Sequence, residues 1–154
     1  MQVPNANIRS SGYYIAETHA RCAKCGRQTR VLALAVPPNH EIQVDGEWQN
    51  VDGNAFLFYV AALPDAVSRH LYGRSPAFRP QLGRDPADSH WANRCEYCAK
   101  PFSDDDLHCE PGGFMPGRVL DAEAILLSRI DEDFSASAAG YALAPEFFAS
   151  MRRL

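Results

Sequence analysis

Residues 90–114 read HWANRCEYCAKPFSDDDLHCEPGGF and hold the densest set of chemically specific side chains in the sequence. The stretch contains a Cys-x-x-Cys pair, Cys95 and Cys98, followed by three aspartates and a Pro-Gly-Gly turn. A second pair, Cys22 and Cys25, lies far upstream in the run RCAKCGRQTR. One Cys-x-x-Cys turn places two sulfurs on an ion at about 2.3 Å, and two turns complete a tetrahedron. The four cysteines therefore predict one structural Zn²⁺ site.

The distance between the two pairs shapes the expected fold. Between Cys25 and Cys95 lie 69 residues, whereas a compact zinc ribbon has about 15–20. Closing this loop costs only about 1.2 kcal/mol more than closing a loop of about 17 residues. Structural zinc contributes on the order of 10–16 kcal/mol. The spacing thus predicts a split zinc ribbon, with halves at about 12–36 and 89–114 and the 40–88 body inserted between them.

Three other interpretations of the cysteines stay open at the level of sequence. The pairs could be unrelated buried thiols, or either pair could be a redox dithiol with a lowered thiol pKa. A redox dithiol usually opens a helix after a strand, and neither pair precedes an obvious helix. A local site could instead combine Cys95 and Cys98 with His108 or Cys109. Otherwise Cys109, the odd cysteine, is expected to be a small core hydrophobe.

Hydrophobic patterning predicts a strand-rich, antiparallel α+β domain spanning 1–154. Strands over 12–20 and 29–36 flank the first cysteine pair, and a strand over 89–94 leads into the second. Asp45-Gly46 and Asp52-Gly53 predict two hairpins in a meander of short strands. Residues 56–62 are expected to be buried within this meander.

The remaining elements are predicted from proline, glycine and apolar spacing. Pro64–Tyr72 is expected to be a short helix that ends at Gly73, followed by an irregular loop over 73–89. Residues 119–130 carry signals for both helix and strand, and we favour strands continuing into a hairpin. A C-terminal helix is expected over Pro145–Leu154, and its apolar face comprises Phe147, Phe148, Met151 and Leu154.

Composition limits the classes of protein that the sequence can encode. With 154 residues, 46% of them hydrophobic, the chain can bury a core as one domain. No apolar run approaches the roughly 20 residues that span a bilayer, and the N-terminal residues lack the apolar segment of a secretory signal. We therefore expect a cytoplasmic protein without membrane association, in a reducing compartment where Cys-x-x-Cys pairs favour metal over disulfides. The net charge of −4 argues against a protein that coats DNA.

Two clusters of polar residues suggest alternative functions. Asp104, Asp106, His108 and Glu110 could perform the acid–base or metal chemistry of a hydrolase or nuclease. The simpler interpretation is a solvated turn with Leu107 pointing inward. No P-loop, nucleophile elbow, dinucleotide fingerprint or His-Glu-x-x-His motif occurs, so an enzyme is not favoured.

The second cluster is basic and surrounds the first cysteine pair. Its cations, together with Tyr13 and Tyr14 on the preceding strand, match the surfaces on which zinc ribbons bind nucleic acid. They could equally offset the acidic remainder of the chain. The favoured function is a zinc-stabilised module that recognises a protein partner, with nucleic-acid binding as the alternative. The four cations are Arg21, Lys24, Arg27 and Arg30.

Four segments together resemble a group of bacterial zinc-ribbon-like proteins whose function is uncharacterised. The segments are ARCAKCGRQTRVLALAVPP, FLFYVAALPDAV, HWANRCEYCAK and DLHCEPGGF, and the resemblance covers about residues 14–148. In that group two Cys-x-x-Cys knuckles bracket the body, and a Leu-His-x-Glu-Pro-Gly-Gly run follows the second knuckle. The resemblance implies zinc at the four cysteines and a packing role for 107–114 beside the metal. Ala99 departs from the glycine that a knuckle ordinarily has at this position.

Overall fold

A computed structural model describes residues 3–83, 89–110, 112–116, 118–143 and 145–154. Within these ranges the chain is rich in strands and has few helices. The helices are α1 (Asp65–Arg74), α2 (Asp104–His108), α3 (Val119–Ala122) and α4 (Pro145–Phe148). The strands are β1 (Ile8–Ser10), β2 (Tyr13–Arg21), β3 (Gln28–Val36), β4 (His40–Val44), β5 (Glu47–Val51), β6 (Ala55–Ala62), β7 (Phe78–Gln81), β8 (His90–Asn93), β9 (Leu126–Ile130), β10 (Phe134–Leu143) and β11 (Arg152–Arg153).

Most of the described strands belong to one sheet. Its order is β11-β9-β2-β3-β6-β10-β1-β4-β5, and every neighbouring pair is antiparallel except β11 and β9. The strands β7 and β8 form a separate antiparallel pair. The predicted strands around both cysteine pairs are therefore confirmed. Among the described residues, no helix is long and apolar enough to cross a membrane.

Strand β3 explains how the sheet is buried on both faces. Its sequence is apolar almost without interruption because alternate side chains enter two different hydrophobic cores. Leu32 and Leu34 join the core that contains Val67 of α1 and Trp91 of β8. Val31, on the opposite face, joins the core that contains the residues after the second cysteine pair and those near the C-terminus. The chain between the two cysteine pairs thus covers one face of the sheet, and the chain after the second pair covers the other.

One of the two predicted hairpins is confirmed, and the other is wrong. Asp45 and Gly46 have φ values of 52° and 82°, the left-handed pair of a type I′ turn, and they join β4 to β5. Asp52-Gly53 does not join paired strands, because β6 lies between β3 and β10. The physical reason is burial: β6 carries apolar side chains on both faces, so it takes a central position. Strand β5 is largely polar and stays at the edge.

The predictions for residues 64–89 are only partly correct. Helix α1 begins at Asp65, directly after Pro64, but it continues through Gly73 to Arg74. The expected loop contains β7, which pairs with β8 from Phe78 to Gln81. The local sequence of β7 does not predict a strand, and it is the pairing with β8 that holds this segment extended. Residues 84–88 of that loop lie outside the described residues.

The C-terminal region also differs from the prediction. Residues 119–122 are helical and 126–130 form β9, but β9 pairs with β2 and not with β10, so the expected hairpin is wrong. The final helix is a single turn, and Arg152–Arg153 then pairs with the free edge of β9. Phe148 and Met151 are buried as expected, but Leu154 is 80% exposed. A short helix is marginal by itself, so the pairing with β9 prevails.

Candidate metal centre

The first cysteine pair sits in the turn between β2 and β3. These strands pair down to Arg21 and Gln28, so the chain between them forms a tight loop at the end of a long hairpin. The N–H of Cys22 donates to the carbonyl of Arg27, and the N–H of Gly26 donates to the carbonyl of Cys22, both at 2.9 Å. Gly26 has a φ of 74°, the left-handed conformation that glycine adopts without strain.

The second cysteine pair repeats this geometry. The N–H of Cys95 donates to the carbonyl of Lys100, and the N–H of Ala99 donates to the carbonyl of Cys95, again at 2.9 Å. Ala99 has a φ of 64°, so an alanine occupies the left-handed position that Gly26 holds in the first turn. Arg94 and Pro101 form an isolated antiparallel bridge, the counterpart of the last pair of the first hairpin. The two Cys-x-x-Cys turns, which we call knuckles, therefore share one backbone geometry.

The four sulfurs form one group rather than two unrelated pairs. The Sγ atoms of Cys22 and Cys98 are 3.6 Å apart, and so are those of Cys25 and Cys95. All four lie within 4.8 Å of one another. Sulfurs at about 2.3 Å from a central zinc ion would be about 3.8 Å apart in a regular tetrahedron. A disulfide needs about 2.05 Å, so these are free thiols spaced for a metal ion.

The two halves of the site are joined by side chains that complete the edge of β3. Strand β6 pairs with β3 only from Leu34 onward, which leaves the backbone nearer the knuckle without a strand neighbour on that side. The side chain of Asn93 takes that place: it accepts from the N–H of Leu32 at 2.8 Å and donates to its carbonyl at 2.9 Å. Both residues are buried. This side chain fixes β8 beside β3, and with it the register of the two knuckles.

Glu96, inside the second knuckle, extends the same edge. Its carboxylate accepts from the N–H of Arg30 at 2.8 Å and from the hydroxyl of Thr29 at 3.1 Å. The N–H of Glu96 in turn donates to the Thr29 hydroxyl at 3.0 Å. Thr29 is completely buried. These contacts hold the second knuckle against the first independently of the sulfurs.

The surroundings lower the thiol pKa at Cys22 and Cys95 but raise it at Cys98. Backbone N–H groups, first that of Cys25 and then that of Lys24, lower the pKa of Cys22 to about 6 against the opposing effect of burial. At Cys98 the N–H of Lys100 lowers the pKa, but burial and the neighbouring sulfurs outweigh it and raise the pKa to about 11. Adjacent thiolates repel one another, so a cation is needed to hold all four ionised.

The acidic–histidine cluster does not assemble into one site. Asp104 is buried and accepts from the N–H of Tyr59 at 2.7 Å, and burial raises its pKa. Asp106 and Glu110 are exposed, and His108 is buried among aromatic rings. Among the described residues, the four cysteines are the one group of three or more His, Cys, Asp or Glu side chains that could hold an ion. The local site with His108 or Cys109 is therefore wrong.

The expectation of a solvated turn is also wrong. The aspartates begin α2, whose first residues are capped by the Ser103 side chain, which accepts from the N–H of Asp105. Leu107 points inward as predicted and is 3% exposed. Cys109 is exposed, contrary to the prediction of a core hydrophobe.

The basic surface around the first knuckle differs in its aromatic partner. Tyr13 is fully buried against Phe134, about 25 Å along β2 from the knuckle, so it cannot belong to that surface. Tyr14 packs at the same end of the strand. The aromatic residue at the knuckles is Tyr97, which sequence reasoning missed although it lies between Cys95 and Cys98. The guanidinium of Arg27 lies 4.8 Å from the centre of its ring.

Comparisons with known proteins do not assign the chain to a family. Searches against models of protein families, curated proteins and solved structures found no significant match.

Proposed function

We propose that Cys22, Cys25, Cys95 and Cys98 bind one structural zinc ion that closes a split zinc ribbon. The observation that carries this proposal is the grouping of four sulfurs within 4.8 Å at the ends of two equivalent turns. Soft thiolate ligands in a tetrahedral set are typical of zinc. All four positions would be filled by protein, which leaves no open position for a substrate. The metal would therefore stabilise the fold without acting in catalysis.

Elemental analysis of protein purified without added metal tests this site. We expect one zinc per chain and one freely titratable thiol, that of Cys109, until a chelator releases the other four. Replacing Cys95 with Ser is expected to remove zinc and unfold the domain, because structural zinc contributes on the order of 10–16 kcal/mol and a domain is stable by only about 5–15 kcal/mol. Cys109→Ser is the matched control and is expected to retain both zinc and fold. Protein that lacks metal yet is folded would refute the zinc ribbon.

For the function of the module, we propose recognition of a protein partner through the double-knuckle face. We define this face as the exposed side chains Arg21, Lys24, Arg27, Tyr97 and Lys100. Tyr97 is 59% exposed and packs against the guanidinium of Arg27, so an exposed aromatic ring stands among cations. Tyrosine and arginine dominate the binding energy of many protein interfaces. The arrangement supports a compact contact centred on these two residues.

Charge favours a protein over nucleic acid as the partner. The four cations of the double-knuckle face stand beside a site whose four thiolates and one Zn²⁺ carry a net charge of −2. Arg30, which the sequence placed with these cations, pairs with Glu17 and donates to the carbonyl of Arg74. The excess positive charge is therefore small, whereas affinity for nucleic acid rests on several unpaired cations. Single-stranded nucleic acid stays the second candidate because an exposed ring flanked by cations can stack with a base.

Site-specific photo-crosslinking distinguishes these candidates. A photoreactive amino acid would replace Tyr97 in one variant and Tyr72, a 53% exposed tyrosine on α1, in the matched control. In the source cells we expect a discrete adduct at position 97 that protease destroys and nuclease does not, and no such adduct at 72. An adduct that nuclease removes would establish the second candidate. Equal labelling at both positions, or none, would refute the double-knuckle face as a binding surface.

A further inference from the structure

A cavity of about 440 Å³ opens on the face of the sheet that carries α2 and the C-terminal segment. Its walls are aromatic and aliphatic, formed in part by Phe56, Phe114 and Phe147. Met115 and Leu143 line it too and are 46% and 56% exposed, so large apolar side chains flank its opening. No charged side chain is among the described residues that line it. The volume lies in the range of small-molecule sites, about 300–1,000 Å³.

One polar side chain in this wall has no partner. His108 lines the cavity and is 8% exposed, yet among the described residues nothing forms a hydrogen bond with its ring. The imidazole stacks with two aromatic rings: its centre lies 4.8 Å from that of Phe58 and 5.2 Å from that of Phe114. Its nitrogens are not among the fully buried, unpaired side-chain atoms of the described residues, so water or an occupant of the cavity can reach them. In an apolar wall such a group can orient a ligand through a hydrogen bond.

The segment after α2 is built to keep this wall in place. The N–H of Phe114 donates to the carbonyl of Leu107 at 2.8 Å, which closes the chain around His108. Gly113 has a φ of 54°, and a Cβ at this position would lie 2.9 Å from the same carbonyl oxygen. Glycine is therefore required for the turn. Within this segment, His108 is the polar side chain that lines the cavity, and Phe114 forms part of its aromatic wall.

We propose that this cavity binds a small neutral apolar molecule through one oxygen that forms a hydrogen bond with His108. Burial lowers the pKa of His108 to about 4, so at pH 7 the ring is neutral, with one nitrogen that donates and one that accepts. A hydroxyl or carbonyl oxygen suits this ring. A carboxylate does not, because the lining offers no cation to compensate a buried anion.

The ligand would be held without covalent bonds. Cys109 is the nearest thiol along the chain and also lines the cavity, but partial desolvation and the nearby Asp105 raise its pKa. A raised pKa disfavours the thiolate, which is the reactive form. The proposal is independent of the double-knuckle face, since none of those residues lines the cavity.

Three matched probes test the proposal on zinc-loaded protein at pH 7: 1-naphthol, naphthalene and 1-naphthoate, with binding followed by fluorescence titration. We expect 1-naphthol to bind about two- to tenfold more tightly than naphthalene, the range for one net hydrogen bond, and 1-naphthoate to bind most weakly. His108→Phe retains a ring between Phe58 and Phe114 and should remove the preference for naphthol while naphthalene still binds. His19→Phe, which changes an exposed histidine on β2, is the control and should keep the preference.

Different outcomes test the cavity and the role of His108. Failure of all three probes to bind wild-type protein in the millimolar range would refute the cavity as a ligand site. Equal affinity of wild-type protein for naphthol and naphthalene, or an unchanged preference in His108→Phe, would refute the role of His108. The comparison among ligands uses wild-type protein, so it holds even where the variant fails to fold.

Discussion

The two knuckles allow the cost of backbone strain to be compared, because the equivalent left-handed position is Gly26 in one turn and Ala99 in the other. Left-handed φ costs a residue with a side chain about 1–2 kcal/mol. Glycine adopts this conformation without that cost, but it lowers stability by about 0.5–1 kcal/mol because it gives the unfolded chain more freedom. Ala99→Gly is therefore expected to stabilise the domain by about 0.5–1 kcal/mol, and Gly26→Ala to destabilise it by a similar amount. A Cβ on Gly26 would meet nothing within 4 Å, so steric overlap does not contribute.

Calorimetry on zinc-loaded protein at a fixed free zinc concentration measures this difference, because bound metal shifts apparent stability. For 154 residues the entropy of unfolding is about 0.3 kcal/mol per degree, so each variant should move the Tm by roughly 1.5–3 °C. The double variant, with the two residues exchanged, should melt within about 1 °C of wild-type protein. Two single variants that shift the Tm in the same direction would refute the equivalence of the two turns.

Three further predictions concern buried groups, and the second has a change at an exposed glycine as its control. Asn93→Ala leaves two buried main-chain groups of β3 unpaired and should lower the free energy of unfolding by about 2–5 kcal/mol in urea titrations; a loss below 1 kcal/mol would contradict its role as a substitute strand. Gly140→Ala places a methyl group on the ring of Phe58 and should destabilise by about 1–3 kcal/mol, whereas Gly73→Ala, in a helix with open space around it, should stabilise by about 0.5–1 kcal/mol. Folding lowers the pKa of His108 from 6.5 to about 4, so between these pH values the unfolded chain binds a proton that the folded chain does not. The free energy of unfolding should therefore fall by up to about 3 kcal/mol as the pH is lowered from about 6.5 to about 4. His108→Phe should lose correspondingly less stability over this range, and an equal loss in both proteins would contradict a neutral buried imidazole.

Sequence patterns that depend on short-range geometry predicted their structure well. The knuckle turns follow from Cys-x-x-Cys spacing, and the Asp45-Gly46 hairpin follows from two residues that tolerate positive φ. Strand β3 follows from its β-branched and apolar run. Each of these features is decided within about ten residues, where side-chain and backbone preferences act directly.

The errors arose where competition between distant segments decides the outcome. The sequence around Asp52-Gly53 fits a hairpin, yet β6 pairs with β3 and β10 because it can bury both faces there. The last residues fit a helix, yet Arg152–Arg153 satisfies the free edge of β9. Side chains that replace strand pairing, such as that of Asn93, have no signature in the sequence. One signal was available and missed: Arg94 precedes the second cysteine pair as Arg21 precedes the first.

The sequence by itself determined which four cysteines are candidate ligands, their arrangement in two turns and the strand-rich core. Ligand chemistry and local periodicity depend on residues that are close together in the chain. Only the tertiary structure decided that the sulfurs meet across 69 intervening residues. It likewise decided that Tyr97 and not Tyr13 stands at the knuckles, and that the aspartates and His108 separate into different environments. These outcomes depend on which face of the sheet each segment covers. That choice is made by competition for burial and hydrogen bonds over the whole chain, which no local pattern records.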